Sequence, residues 1–393
     1  MKMITFEEAY KIVIASAFST RTQVITFTQS LNRVLAEDIT SDIDMPPFNK
    51  ASVDGFACRK SELNKDLEIV ETIPAGKVPE KVVGTHQCSR IMTGAPVPGG
   101  ADCVIMVEDT EILQSGKVKF TGSFTKENIA VRGEDVKKGD IVLEAGIAIR
   151  PQDIAMMASV GHTSVTVSRM PRMAVISSGS ELVEPSEFPA TSQIRNSNAY
   201  QLIAQAERAG ISAKYYGIAK DDEVETFILV KKAISENDLV ILTGGVSMGD
   251  FDFIPAVLEK AGVSIKFTRV AVQPGKPTTF GVHPQAIVFG LPGNPVSSFI
   301  QFELLVRPLI YKMMGHHWRP VEQRLPMKKS FSRKFAERMA LIPVLIDDQG
   351  LASPVEFHGS AHISALHAAD GIFAVPVGVN HIDKGEVVSV RQI

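Results

Sequence analysis

The 393-residue chain holds one tryptophan and three cysteines, and it has no apolar run near the ~18 residues that span a bilayer. Cys58, Cys88 and Cys103 are odd in number and lack CxxC spacing, which excludes a disulfide framework or zinc ribbon and suits a reduced, cytoplasmic setting. The opening MKMITFEEAYKIVIASAF places Glu7 and Glu8 where an export signal would be apolar, so neither export nor membrane insertion is expected. A net charge of -3 and a pI near 6.3 supply no overall field toward nucleic acid or anionic lipid. What remains is a globular composition, 45% hydrophobic and 22% charged. At roughly 150 residues per domain, the length implies two to four domains.

Thr5 is a candidate N-cap before Glu7 and Glu8, and Ile4, Ala9, Ile12, Val13 and Ala17 recur at helical spacing, so the chain should open with a helix. Residues 41–139 are rich in Gly, Pro, Val and Thr, with short strands predicted at 81–83, 103–107 and 117–120, and read as a β-rich domain. Residues 140–170 return to a mixed pattern and are expected to pack back on the first helix, giving a discontinuous domain of 1–40 and 140–170. From 171 to 319, apolar strands (173–176, 213–218, 239–242, 286–289) alternate with helices (199–209, 223–235, 295–314), the pattern of a three-layer α/β domain with a mostly parallel sheet. Residues 320–393 read as a separate C-terminal β domain.

Ligands of parallel sheets gather beyond the strands' carboxyl ends. Three loops there carry polar chemistry: Ser177 to Glu181, Thr243 to Asp252, and Leu291 to Ser298. Gly244 and Gly245 can bring backbone N–H groups close to a phosphate, with Ser247 adding a hydroxyl. Pro292 and Pro295 fix the backbone around Gly293 and Asn294, and Ser297 falls in the first turn of the following helix. Singly, each loop is also explained as a plain connection; together they propose one site. Carboxylates crowd the same loops and would repel a phosphate unless a hard cation bridged them. Asp222 and Asp250 are read as helix caps, Asp252 and Glu181 as functional. Lys276, between Pro274 and Pro277, is either a solvated turn residue or a point charge presented to an oxyanion.

Elsewhere, MPPFNKASVDGFA (45–57), RIMTGAPVPGG (90–100) and VRGED (131–135) are constrained loops that composition alone explains as hairpin turns. The basic run from Arg319 to Arg338 has no aromatic platform and reads as a solvated face or local anion funnel. His358, His362 and His367 lack a partnering metal motif.

Taken together, PPFNKASVDGFA (46–57), IMTGAPVP (91–98), RGED (132–135), SSGSEL (177–182), TGGVSMGDFDF (243–253), QPGKPTTFG (273–281) and LPGNPVSS (291–298) resemble, in order, the motifs of the molybdopterin molybdenumtransferase family, related to the C-terminal domain of gephyrin. The resemblance implies an elongated four-domain subunit in a homodimer, its α/β domain similar to molybdopterin adenylyltransferases. It implies a reaction in which adenylylated molybdopterin and molybdate yield the molybdenum cofactor with release of AMP, assisted by Mg²⁺. By the same resemblance Asp252, Ser247, Lys276 and Glu181 are catalytic, and Asp252, Asp221 and Glu181 hold the metal. Asp54, Thr93, Asp135, Gly244, Gly245, Pro277, Pro292, Asn294, Ser297, Arg338 and Ser364 bind substrate, with Asp54, Thr93 and Asp135 completing the cleft of the partner subunit. Contacts with a molybdopterin adenylyltransferase and with molybdoenzyme delivery proteins are further expectations. Ser180 stands where the family commonly has aspartate, and Gln273 where it often has lysine. Two other readings are adenylyl transfer to molybdopterin and a cofactor-binding scaffold without turnover.

Overall fold

A computed structural model describes residues 3–220, 222–245, 253–355 and 362–393. Its centre is a six-stranded sheet of β1 (Met173–Ser178), β2 (Ala213–Ala219), β3 (Leu239–Thr243), β4 (Ser264–Phe267), β5 (Thr279–Val282) and β6 (Ile287–Leu291), in the order β2-β1-β3-β6-β5-β4. β2, β1, β3 and β6 run parallel; β5 pairs antiparallel with β6, and β4 antiparallel with β5. Side chains alternate between two cores. Met173, Val175, Leu239, Ile241, Ile287 and Phe289 face the helices Asn198–Arg208 and Pro295–Gln301, whereas Ala174, Ile176, Val240, Leu242 and Val288 face Glu223–Glu236 and Ile254–Lys260. Burial on both faces is why these strands read as unbroken apolar runs.

Sequence and structure part at several elements. Apolar periodicity predicts neither β4 nor β5. Lys81 to Val83 forms no strand; Val83 N–H instead donates to the Gly99 carbonyl at 2.9 Å. The helix expected over 295–314 is divided into Pro295–Gln301, a π-helical segment Phe302–Val306 and Arg307–Met313. Pro308 lacks the N–H that an α-helical bond to residue 304 requires, and a wider turn there accommodates the loss.

The first helix, Phe6–Ala15, carries the expected Thr5 cap as a reciprocal box: Glu8 N–H donates to Thr5 Oγ1 at 3.1 Å, and Thr5 N–H to Glu8 Oε2 at 2.9 Å. It packs elsewhere than expected. Ala9 and Val13 enter the core of the α/β domain, against Phe302–Val306 and Arg307–Met313. Residues 140–170 pack on the strands that follow this helix. Thr22–Thr26 pairs antiparallel with Ser164–Ser168, Ile39–Thr40 with Ile141–Leu143, and Leu35, Ile39, Ile149, Met157 and Val165 share a core. Amphipathicity announced a buried face on the first helix without specifying which core would bury it.

The strands Gly55–Cys58, Glu68–Ile73, Gln87–Ile91 and Cys103–Met106 form a four-stranded sheet. At the other end, Glu322–Pro326, Met339–Ile346, Gly371–Val375 and Val387–Gln392 build the C-terminal sheet, which Val272–Gln273 joins by pairing parallel with Met339–Ala340. The chain exposes 19737 Å², against about 15,100 Å² for a compact monomer of its mass. Such an excess is what an elongated chain of separately packed domains produces.

Candidate functional site

The carboxyl ends of β1, β3 and β6 bring three loops to one edge of the sheet. β1 ends in Ser177 and Ser178, β3 in Thr243 and β6 in Leu291, and the pairings Ser177 with Thr243 and Thr243 with Leu291 place these ends side by side. Gly244 N–H donates to the Leu291 carbonyl at 3.2 Å. Gly244 has φ +92°, and a Cβ there would lie 2.2 Å from the Ser178 carbonyl oxygen. Gly245 has φ +62°, and its Cβ would crowd Ile254 and the Ser178 hydroxyl. Both glycines are therefore required by backbone conformation and by close approach to the neighbouring loop.

A buried asparagine absent from the sequence reading holds this edge together. Asn198 Nδ2 donates to Thr243 Oγ1 at 3.0 Å and to the Gly293 carbonyl at 2.6 Å, while Thr243 Oγ1 donates to the Pro292 carbonyl at 3.2 Å. Gly293 lies so close to Gly244 that a Cβ would sit 3.5 Å from the Gly244 Cα. Behind them, Ser177 Oγ donates to Asn196 Oδ1 at 3.0 Å, Asn196 Nδ2 to the Tyr215 hydroxyl at 2.8 Å, and that hydroxyl to Glu184 Oε1 at 2.7 Å. Burial and the Glu184 carboxylate raise the Tyr215 phenol above its ordinary range, so it stays a donor. Among the described residues the buried Ser178 hydroxyl and Asn198 Oδ1 have no hydrogen-bond partner, a sign that this edge is built for more than its own stability.

Pro292 is buried, Asn294 occupies the N-cap position of Pro295–Gln301 with extended backbone (φ -71°, ψ 127°), and Ser297 is 3% exposed in the first turn. Glu181 is exposed, its carboxylate close over Gly179, where a Cβ would meet Glu181 Oε2 at 2.4 Å. Asp222 is the cap expected of it, accepting from Glu225 N–H at 2.7 Å. Asp221, Ser247, Asp250, Asp252 and His358 lie outside the described residues. Among the described residues, no group of three or more His, Cys, Asp or Glu side chains is arranged to hold a metal.

Lys276 is exposed and Pro277 half-buried, in a loop running from the strand Val272–Gln273 into β5. The Lys276 carbonyl accepts from Val270 and Thr278 N–H groups, each at 3.0 Å, and Gly275, at φ +102°, packs on the buried Gln301 amide. Arg338 Nη1 donates to the Val272 carbonyl at 3.3 Å, so the C-terminal domain brings a second cation to the base of the lysine loop. Ser364 is exposed at the start of the short helix Ser364–His367, whose Leu366 packs against the α/β core.

In the β-rich domain the three constrained loops come together. Ala51 N–H donates to the Ala95 carbonyl at 2.9 Å, Arg132 N–H to Asn49 Oδ1 at 2.8 Å, and Asp135 N–H to the Met45 carbonyl at 3.0 Å. Thr93 donates to Asp54 Oδ1 from both its backbone N–H, at 2.6 Å, and its hydroxyl, at 2.7 Å, which holds the exposed Asp54 carboxyl below its ordinary range. Asp54, Thr93 and the turn carrying Asp135 thus belong to one surface cluster rather than three separate hairpins.

Comparison with known proteins agrees along the whole chain. Residues 4–161 match the MoeA N-terminal region (domain I and II), residues 174–312 a probable molybdopterin binding domain, and residues 326–393 the MoeA C-terminal region (domain IV). A crystal structure of the molybdopterin biosynthesis moeA protein from Pyrococcus horikoshii OT3 superposes with a TM-score of 0.86 at 29% identity, covering 100% of both chains. The molybdopterin molybdenumtransferase of Bacillus subtilis (strain 168) is 35% identical over 99% of this chain and 94% of its own. That of Staphylococcus epidermidis is 36% identical over 98% of this chain and 95% of its own. On likeness of this extent, the chain belongs to the molybdopterin molybdenumtransferase family.

Proposed function

We propose that the protein inserts molybdenum from molybdate into adenylylated molybdopterin, releasing AMP and forming the molybdenum cofactor. The observation that carries this reading is the carboxyl edge of the sheet, where Gly244, Gly245 and the Pro292–Asn294 loop are locked together by Asn198. An edge lined by glycines that carry no Cβ lets a pyrophosphate-linked substrate approach the backbone closely. Lys276 and Arg338, joined through the strand at Val272, are the cations proposed to receive molybdate, with Pro277, Ser297 and Ser364 as neighbouring contacts. Ser247 is assigned to the phosphate loop.

Glu181, Asp221 and Asp252 are the proposed holders of Mg²⁺. Hard carboxylate oxygens fit that ion, and once bound it supplies charge neutralisation at the pyrophosphate. Asp54, Thr93 and Asp135 are proposed to close the cleft from a second copy of the chain in a homodimer. That arrangement gives a function to a cluster whose carboxylate is held ionised on the surface. A cytoplasmic setting and contact with a molybdopterin adenylyltransferase belong to the same proposal.

The test is molybdate-dependent AMP release from adenylylated molybdopterin by the full-length protein. AMP release should require both molybdate and Mg²⁺, stop on chelation, and fall by at least about a hundredfold in Asp252→Asn. Release at the native rate by Asp252→Asn would refute the catalytic assignment. Pyrophosphate formation from ATP and molybdopterin would replace the reading with adenylyl transfer.

A further inference from the structure

The sheet has a second polar edge that the proposed reaction does not use. At the amino ends of β1 and β3, about 20 Å along β1 from Ser178, three arginines and a single carboxylate line one cavity. Arg21 precedes the strand Thr22–Thr26, Arg169 follows Ser164–Ser168, and Arg169 N–H donates to the Arg21 carbonyl at 2.7 Å. Arg172 and Asp238 immediately precede β1 and β3. These four residues line an open cavity of about 500 Å³.

Asp238 accounts for one of the arginines. Both its oxygens accept from Arg169 Nη2, at 2.9 and 3.0 Å, and Oδ2 also accepts the Arg172 backbone N–H at 2.7 Å. The Arg172 side chain reaches the same carboxylate only at 3.7 Å and is 62% exposed. Among the described residues that line the cavity, three arginines share one carboxylate, in a chain whose net charge is -3. A purely structural pin would need Arg169 and Asp238 alone. Arg21 and Arg172 add self-repulsion to the fold, and each offers a planar fork of donors suited to a tetrahedral oxyanion.

We infer that this cavity is a second anion site, taking a phosphate-type dianion, free or as a terminal phosphate monoester, clasped by Arg21 and Arg172 with Arg169 held in place by Asp238. The inference does not rest on the reaction proposed for the opposite edge. A ligand there would bridge the strand Thr22–Thr26 to the beginning of β1, joining the N-terminal strands to the α/β domain.

Inorganic phosphate and AMP are titrated separately into the full-length protein, by calorimetry and phosphorus NMR line width, with sodium chloride holding ionic strength constant. Saturable phosphate binding is expected that Arg21→Gln with Arg172→Gln weakens about tenfold and that Lys276→Ala leaves unchanged. Loss of one of two AMP sites in the same double variant, the other being product binding at the opposite edge, assigns a monoester; loss of phosphate binding alone assigns the free anion. Arg169 and Asp238 are retained, so the urea midpoint should hold. If it does not, the pair Arg21→Lys with Arg172→Lys carries the test, because it keeps the charge and removes the fork, and phosphate should then lose its advantage over chloride. Phosphate affinity unchanged in the double variants, or chloride competing as well as phosphate in the native protein, overturns the inference.

Discussion

Asn198 spans two loops with a single amide nitrogen, donating to Thr243 Oγ1 on the β3 loop and to the Gly293 carbonyl on the β6 loop. Replacing it by leucine of similar size removes both bonds, leaving the buried Thr243 hydroxyl one donor short and the Gly293 loop untethered. Asn198→Leu should lose about 1–3 kcal/mol of stability in urea unfolding. It should also raise the KM for adenylylated molybdopterin more than it lowers kcat, because it loosens the cradle without touching reacting atoms. A fall in kcat with KM unchanged would show that Asn198 acts in the chemical step instead.

Gly244→Ala meets two obstacles at once, a positive φ of +92° and a Cβ placed 2.2 Å from the Ser178 carbonyl oxygen. The loop must move to relieve the clash, and the paired end of β3 limits that movement. AMP release is expected to fall at least about tenfold, with a stability loss of roughly 1–3 kcal/mol. Gly378→Ala, which also has a positive φ (+85°) but open space around it, provides the control. It should cost stability from the same backbone preference while leaving AMP release intact. Comparable activity losses in the two variants would remove the argument for close approach.

The Asp54–Thr93 pair makes a pH-dependent prediction. Thr93 stabilises the ionised carboxylate, so the folded pKa of Asp54 lies below its unfolded value, near ~3.9. The resulting stability is present above the unfolded value and is lost as pH falls through the folded one. Thr93→Val deletes the hydroxyl donor and keeps the backbone one. Its Asp54 carboxyl should titrate at higher pH by carbon NMR, and any stability deficit should be seen at neutral pH and shrink below about pH 4. A deficit that persists undiminished in acid would mean that the hydroxyl acts through packing rather than through the carboxylate.

How much of this was legible in the sequence depended on whether one chain segment contained the reason. β1, β3 and β6 are buried on both faces, so Met173 to Ile176 and Leu239 to Leu242 stand out as apolar runs. β4 and β5 sit at the end of the sheet, and Ser264–Phe267 and Thr279–Val282 mix Ser, Lys, Thr and Gly into short strands that periodicity passes over. The glycine and proline loops were legible because close approach restricts the residue choice locally. Asn198 was not, since its partners Thr243 and Gly293 lie 45 and 95 positions away. The packing of the first helix was hidden for the same reason: its apolar stripe reports burial but not the surface that buries it.

Glu303 is the sharpest test of an element the sequence did not foretell. The π-helical segment Phe302–Val306 turns this carboxylate inward, where it is 2% exposed and accepts from Arg208 Nη2 at 2.5 Å, Gln205 Nε2 at 2.7 Å and Arg307 Nη1 at 2.9 Å. Arg307 also lies over the Trp318 ring, 5.0 Å from its centroid, so its guanidinium has little route to solvent. Glu303→Gln keeps the shape and removes the charge, leaving two arginines facing a neutral amide. Breaking a buried pair from one side costs about 3–5 kcal/mol, and equilibrium urea unfolding should register most of that loss. Arg208→Gln should cost less, because the Arg208 side chain is 41% exposed and Arg307 remains to pair the carboxylate. If Glu303→Gln unfolds within about 0.5 kcal/mol of the native protein, the inward carboxylate is not what secures the widened turn.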